Sequence, residues 1–225
     1  ANGLIKDKYP ERRIWNLREE HVDVVGPQAD GAVMLSAPIE GEELLCVYAL
    51  PRPEYAEVMA PAPVELTGRV RDGYVFWDIP HGVHRIFFIY KTRRGSLTPD
   101  YINVIDRDSV HTLIEAVYEP HYARYQKYFG STLAGFFSDE PRFGNDFVNW
   151  TGATGGFYDR RVGTPGLALP WCDEVLARMS AALGQDARPL LPALWYGIGE
   201  PTPAVRVAYM DAVTLLWREH FSFQL

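Results

Sequence analysis

Two adjacent carboxylates, Asp139 and Glu140, follow a short apolar run in the stretch STLAGFFSDEPRFGN. Gly130 and Pro141 bound this run, and its phenylalanines favour a buried strand over residues 133–138 rather than a helix. The two acids would then lie at the C-terminal end of a strand. Parallel α/β folds place their active sites there, because the loops at that end converge over the sheet.

Hydrolysis of a glycosidic bond uses a pair of carboxyl groups. One carboxylic acid protonates the leaving oxygen, and a second carboxylate acts as nucleophile or base. Glu140 suits the acid role, because an apolar strand and a like-charged neighbour both keep a carboxyl group protonated to higher pH. In the alternative interpretation Asp139 caps the following loop and Glu140 is solvated. The spacing alone does not decide between the two.

The first part of the chain has the pattern of β-structure. From residue 22 to about residue 92, short apolar runs alternate with Gly, Pro and Asp, which predicts an antiparallel β unit. Turns are expected at Asp72-Gly73 and at His81-Gly82. The predicted core of this unit includes Val47, Phe76, Ile86 and Phe88.

The pattern becomes helical after Asp106. A helix is predicted from about residue 108 to residue 129, with Asp106 or Asp108 as its N-cap and a kink at Pro120. This helix would connect a strand ending near residues 102–104 to the strand of residues 133–138. A crossover of this length predicts that the two strands pair in parallel.

Beyond the acids, the sequence predicts a long loop and two further helices. Residues 142–170 are rich in Gly and aromatics, and a loop of this length in a compact domain is usually functional or disordered. Its aromatic residues argue against disorder. The helices are expected at about residues 170–183 and 202–223, with Gly184 as the C-cap of the first.

The composition argues against several classes of partner. The chain of 225 residues has 22 Lys and Arg against 29 Asp and Glu, and its net charge of −7 disfavours binding to nucleic acid or to an anionic membrane. Cys46 and Cys172 have no second Cys or His at metal-ligand spacing, and we expect both to be buried thiols. We expect neither a signal peptide nor a membrane span. A cytoplasmic location is therefore predicted, although export stays open.

One continuous stretch resembles a known group of enzymes. YINVIDRDSVHTLIEAVYEPHYARYQKYFGSTLAGFFSDEP is similar to a segment of large bacterial glycoside hydrolases with a TIM-barrel catalytic domain, a group related to α-L-rhamnosidases and distantly to β-galactosidases. The resemblance extends from Pro99 to Phe223 and includes LPALW at residues 191–195. It implies an α/β fold, namely a partial TIM-barrel (β/α) segment with an antiparallel β-rich insertion or subdomain.

The same resemblance implies a role for the acids. SDEP is similar to the Asn-Glu-Pro element of retaining barrel glycosidases, in which the Glu ends the fourth strand as acid/base. Glu140 would therefore be the catalytic acid. Asp139 replaces the Asn of that element and is a candidate substrate-binding residue, but the replacement puts the usual hydrogen bond to the sugar 2-hydroxyl in doubt.

Three further residues are candidates for sugar binding. Tyr101 and Asn103 lie at an expected strand end, and Trp150 in the long loop would be placed to stack on a sugar ring. Each has an ordinary structural alternative: a turn tyrosine, an Asn bonded to its own backbone, and an aromatic that anchors the loop. No cofactor and no metal site is predicted, although the resemblance to rhamnosidases leaves calcium open.

Together these patterns predict three segments: an N-terminal segment (residues 1–21), an antiparallel β unit (22–95) and an α/β portion of a glycosidase barrel (96–225). A full barrel needs about 250 residues and eight βα units. We therefore expect the remainder of the same polypeptide to complete the barrel around a carbohydrate substrate, and the chain alone to be nearly inactive. The rival prediction is a non-catalytic carbohydrate-binding or interaction module, which an aromatic platform of Tyr74, Phe76, Trp77 and Tyr90 would favour.

Overall fold

The computed structural model describes most of the chain, in the ranges 2–35, 40–94, 96, 98–138, 141–143 and 161–224. In this part the strands are β1 (Trp15–Met34), β2 (Glu43–Pro51), β3 (Val64–Glu65), β4 (Val70–Arg71), β5 (Tyr74–Thr92) and β6 (Leu169–Trp171). The α-helices are α1 (Asn2–Lys8), α2 (Arg107–Leu113), α3 (Glu119–Tyr125), α4 (Asp173–Leu183) and α5 (Thr202–Trp217). None of the helices so described is long and apolar enough to cross a membrane.

A single antiparallel sheet is the centre of the structure. Its strand order is β3-β2-β5-β1-β6, and β4 pairs with the first residues of β5. The two long strands β1 and β5 are in register from Asn16 opposite Thr92 to Met34 opposite Tyr74. Register shifts after Gly26 and Gln28 bend this ribbon. A Cβ atom at Gly26 would lie 1.9 Å from the carbonyl oxygen of Pro80, so the bend requires glycine there.

Side chains alternate along the strands, and each face of the sheet therefore buries a different set of residues. One face carries a cluster to which both halves of β5 contribute, so the curled sheet packs against itself. The members of this cluster are Leu35, Val47, Ala49, Leu66, Val75, Trp77, Ile79, Ile86, Phe88 and Tyr90. Of the four predicted core residues, Val47, Ile86 and Phe88 are confirmed. Phe76 is wrong, because it lies between Val75 and Trp77 and points to the exposed side, with 39% of its surface accessible.

The helices cover the opposite face of the sheet. Leu17 of β1, Cys46 of β2 and Phe87 of β5 belong to one buried cluster with Val175 and Met179 of α4 and with several residues of α5. Each fully buried apolar side chain of this size contributes about 1.5–3 kcal/mol. Cys46 and Cys172 are buried free thiols, as predicted, and burial raises the pKa of each to about 12.

The predicted α/β fold class is wrong. The described residues form a curled antiparallel sheet with few helices, and they do not show the alternation of strands and helices that a TIM-barrel segment requires. The two long central strands pair with each other along most of their length, and β6 adds to β1 in antiparallel orientation. The helices therefore pack on one face of this sheet instead of connecting parallel strands.

The buried strand predicted over residues 133–138 is also wrong. Those residues are exposed and not in a strand, and 86% of the Phe137 surface is accessible. Leu133 makes only an isolated bridge to Phe129, and the expected partner near residue 102 is bridged to Arg13 instead. An apolar run becomes a strand only where a neighbouring strand satisfies its backbone hydrogen bonds, and none of the described strands lies beside this run.

The helix predicted before that run is present. It begins at α2, where the Asp106 carboxylate accepts a hydrogen bond from the Ser109 N–H at 2.9 Å, and continues through a π-helical turn (Ile114–Tyr118) into α3. Pro120 has no N–H to donate and would clash with the preceding turn of a regular helix. A π-helical turn lies directly before α3, where Pro120 interrupts the regular hydrogen-bond pattern of the helix. The two later helices are confirmed as α4, capped by Gly184, and α5.

Candidate functional site

The predicted catalytic residue lies outside the part of the chain that the structure describes. This holds for Glu140 and for two of the predicted sugar ligands, Asp139 and Trp150. Their roles therefore stay predictions. The structure does describe the chain up to Ser138 and again at residues 141–143.

Tyr101 lies near Ser138 in the structure. It lines a small cavity of about 130 Å³ together with Ser138, the residue directly before Asp139. Tyr118 lines the same cavity, and its ring contacts Phe136 edge to face at a centroid distance of 4.9 Å. Burial raises the pKa of the Tyr118 hydroxyl, and the neighbouring Tyr101 raises it further. The Tyr118 hydroxyl therefore remains protonated at neutral pH and is available as a hydrogen-bond donor.

Asn103 points elsewhere. Its side chain is buried, and its Nδ2 donates a hydrogen bond to the carbonyl oxygen of Trp171 at 2.8 Å. Its Oδ1 accepts a weaker bond from the Ile105 N–H at 3.4 Å. The amide thus connects the turn before α2 to β6, and it does not line the Tyr101 cavity. Its predicted sugar-binding role has no further support from this position.

A continuous aromatic surface leads away from the cavity. The rings of Tyr118, Phe136, Phe129 and Tyr122 are in contact in that order, with centroid separations of 4.9, 5.3 and 5.2 Å. Phe136 and Tyr122 are about half exposed. Exposed aromatic faces of this kind suit stacking against the apolar C–H face of a sugar ring. This surface adjoins the residues that precede the acid pair.

A second polar cluster, which the sequence interpretation missed, lies on the helical side of the sheet. The carboxylate of Glu19 is almost fully buried and lies 3.1 Å from His21 Nδ1, and it accepts a hydrogen bond from the Tyr196 hydroxyl at 3.2 Å. Further along β1, Asp23 accepts two hydrogen bonds from Arg85, at 2.7 and 2.8 Å, and pairs with Arg52.

The strand period explains this cluster. Glu19, His21 and Asp23 alternate in the segment EEHVDV and therefore share one face of β1. That alternation was the available signal, but the β unit was predicted to begin only at residue 22. The Arg85 hydrogen bond is the main cause that lowers the pKa of Asp23. The Glu19 hydrogen bond connects β1 to Tyr196, which lies between α4 and α5. The Asp23 ion pairs connect β1 to β5 and to the residue after β2. In the described part of the chain no group of three or more His, Cys, Asp or Glu side chains could hold a metal ion.

The aromatic platform expected of a carbohydrate-binding module is only partly formed. Tyr74 and Phe76 share the exposed face of β5, with ring centroids 6.4 Å apart, and the Arg71 guanidinium lies 5.3 Å from the centre of the Phe76 ring. Trp77 and Tyr90 are buried in the sheet core. The surface therefore offers two aromatic rings and one cation rather than four rings.

Comparison with known proteins gives a weak structural similarity. No protein-family model matches the chain, and no curated protein sequence matches it. Among solved structures, a rhamnosidase from Novosphingobium sp. PP1Y is similar over 73% of this chain, at 18% sequence identity and a TM-score of 0.40. The similar region covers 15% of the rhamnosidase chain.

Proposed function

We propose that this chain contributes to the active site of a glycoside hydrolase and that Glu140 is its general acid. The observation that carries the proposal is the cavity in which Tyr101 and Tyr118 lie beside Ser138, the residue that precedes the acid pair. The sequence resemblance from Pro99 to Phe223 supports the same assignment. The proposal concerns the chemistry of this site and not the barrel fold, which the structure excludes for the described residues.

Each group near the cavity has a defined task in this proposal. Glu140 protonates the leaving oxygen, and a second carboxylate about 5–9 Å away acts as nucleophile or base. Tyr101 and Tyr118 donate hydrogen bonds to sugar hydroxyls, and Phe136 packs against the C–H face of the ring. Asp139 and Trp150 are proposed as further contacts to the sugar.

The test replaces Glu140 by Gln in the natural full-length polypeptide and measures hydrolysis of para-nitrophenyl α-L-rhamnoside, other para-nitrophenyl glycosides and natural glycosides. Glu115→Gln is the matched control. Glu115 is exposed on the helical segment before the acids and pairs with His111, at 3.2 Å, also on the surface. Loss of the general acid should lower kcat for a natural glycoside by a factor of about 10² to 10⁴.

The control variant should retain the activity of the wild type. A Glu140→Gln enzyme with unchanged turnover of every natural glycoside that the wild type cleaves would contradict the proposal. A wild type that cleaves none of these glycosides would contradict it as well.

A second candidate function is carbohydrate binding without catalysis, and the pair of exposed rings at Tyr74 and Phe76 favours it. This function predicts that Tyr74→Ala weakens retention in gels containing soluble polysaccharide, whereas Tyr125→Ala, at an exposed tyrosine outside both aromatic surfaces, does not. If Tyr74→Ala is retained in the gel as strongly as the wild type, the carbohydrate-binding function at Tyr74 and Phe76 is contradicted. The two functions are separable, because the Tyr74 surface lies on β5 and the proposed acid follows the helical segment.

A further inference from the structure

An open groove with a volume of about 760 Å³ runs along one side of α5. Its apolar lining includes Val162, Leu169, Met210, Val213 and Trp217. This volume lies within the range of about 300–1,000 Å³ that is usual for small-molecule sites. The groove shares no residue with the Tyr101 cavity.

The floor and the far end of the groove are apolar. Met210 is about half exposed there, although it lies on a helix whose other side is buried. Trp217 closes one end, with its ring centroid 6.2 Å from that of Phe143. Its indole N–H is buried and has no acceptor among the described residues, so this end presents ring surface rather than a polar group. An occupant must therefore have an apolar body.

The other end of the groove is cationic. Arg206 lines it, is partly buried, and donates hydrogen bonds to the carbonyl oxygens of Ala193 and Tyr196 at 2.8 and 3.3 Å. Burial lowers the pKa of Arg206, and no carboxylate in the described part of the chain offsets this. Arg161 lines the same groove. Among the described lining residues the acidic one is Asp211, which is exposed. A partly buried cation without a counter-charge attracts an anionic group.

The distance between the two ends sets the length of the occupant. Arg206 and Trp217 lie on the same helix, and a rise of about 1.5 Å per residue places them about 16 Å apart along its axis. One compact anion cannot fill this distance. An extended apolar chain with an anionic group at one end matches both the length and the charge of the groove.

We propose that the groove along α5 binds an amphipathic carboxylate of the fatty-acid type, with its acyl chain against Met210 and Trp217 and its carboxylate at Arg206 and Arg161. The proposal is independent of the proposed glycosidase activity, because none of these residues lines the cavity beside Ser138.

Isothermal titration calorimetry of the full chain with sodium dodecanoate, below its critical micelle concentration, tests the site. Met210→Glu places a negative charge on the groove floor and should weaken binding by at least about tenfold, through like-charge repulsion. The matched control is Met34→Glu, because Met34 is an exposed methionine at the end of β1, with 68% of its surface accessible. The control should bind dodecanoate as the wild type does.

Two further measurements test the charge of the ligand. Dodecylammonium should bind at least about tenfold more weakly than dodecanoate, since the groove end is cationic. Arg161→Gln removes a cation at the exposed rim and should weaken dodecanoate binding several-fold. Equal affinity for the two surfactants, or unchanged dodecanoate binding by Met210→Glu, would overturn the proposal.

Discussion

The hydroxyl of Tyr196 donates a hydrogen bond to Oε1 of Glu19 at 3.2 Å, although the two residues are 177 positions apart in the sequence. This contact joins the first long strand of the sheet to the helical layer. Glu19 is buried, and its second carboxylate oxygen lies 3.1 Å from His21 Nδ1. Removal of the Tyr196 hydroxyl would leave the buried Glu19 side chain with fewer hydrogen bonds. The loss of a hydrogen bond in a buried place costs more stability than the loss of one at the surface.

Tyr196→Phe is therefore expected to destabilise the protein. The variant keeps the ring contacts with His21 and Phe87 and deletes only the hydroxyl. The free energy of unfolding should fall by about 1–3 kcal/mol, because Glu19 loses a hydrogen bond in a buried place. Urea denaturation measures this change. Tyr122→Phe, at a half-exposed tyrosine, is the control. If both variants lower the free energy of unfolding equally, the hydrogen bond to Glu19 does not stabilise the fold.

The Asp23 ion pair predicts a specific pH dependence. Hydrogen bonds from Arg85 are the main cause that lowers the pKa of Asp23 from its usual 3.8, and Arg52 adds to it. Because the pKa is lower in the folded than in the unfolded state, ionised Asp23 stabilises the fold above about pH 4, and this contribution is lost as the pH falls through the lowered pKa. In Asp23→Asn the free energy of unfolding should therefore fall less steeply than in the wild type on acidification below about pH 4.

The control for this pH series is Asp7→Asn, because Asp7 is exposed on α1. It should show the acid dependence of the wild type. Urea denaturation at a series of pH values measures all three proteins. Identical slopes for the wild type and Asp23→Asn would show that the Asp23 pair does not account for acid sensitivity.

Phe137 distinguishes the structure from the sequence prediction. A phenylalanine in a buried strand would cost about 3–5 kcal/mol on truncation to alanine, as expected for Phe87, which is fully buried in β5. Phe137 is 86% exposed, so Phe137→Ala should change the free energy of unfolding by less than about 0.5 kcal/mol. Thermal and urea unfolding of Phe137→Ala and Phe87→Ala measure the two changes. A fall of several kcal/mol in the free energy of unfolding of Phe137→Ala would instead support the predicted buried strand over residues 133–138.

Gly163→Ala tests the packing of the segment before β6. Gly163 has φ of +103°, and a Cβ atom there would lie 2.5 Å from Nη1 of Arg206. The substitution should destabilise by about 1–3 kcal/mol, since both the backbone and the guanidinium must adjust. Gly3→Ala is the control, because a Cβ at that position meets none of the described atoms within 4 Å. A neutral result for Gly163→Ala would contradict both the backbone conformation of Gly163 and its close contact with Arg206.

The local elements were predictable because their signals are local. The Asp106 cap, the helical spacing that follows it and the Gly184 C-cap depend on residues within a few positions of each other. The turn predicted at Asp72-Gly73 is confirmed between β4 and β5. The turn predicted at His81-Gly82 is wrong, because both residues lie inside β5 and Gly82 pairs with Gly26 of β1. Strict alternation along β5 puts Tyr74 and Phe76 on the same exposed face, whereas the sequence interpretation assigned Phe76 to the core.

The larger arrangement depends on contacts that no local pattern reveals. The parallel pairing of residues 133–138 was inferred from helix length and resemblance, whereas pairing is decided by which strand supplies hydrogen-bond partners. Here β1 and β5 pair with each other through most of their length. The contact between Glu19 and Tyr196 was missed for the same reason, because it forms only when the helical layer packs on the sheet.

The leaving-group dependence of Glu140→Gln in the natural full-length polypeptide tests the central claim most directly. A general acid matters most when the leaving oxygen needs a proton. We expect kcat for an alkyl glycoside to fall by about 10² to 10⁴, and kcat for the matching para-nitrophenyl glycoside to fall much less, since nitrophenolate leaves without protonation. Equal losses on both substrates, or no loss on either, would contradict the assignment of Glu140 as the acid.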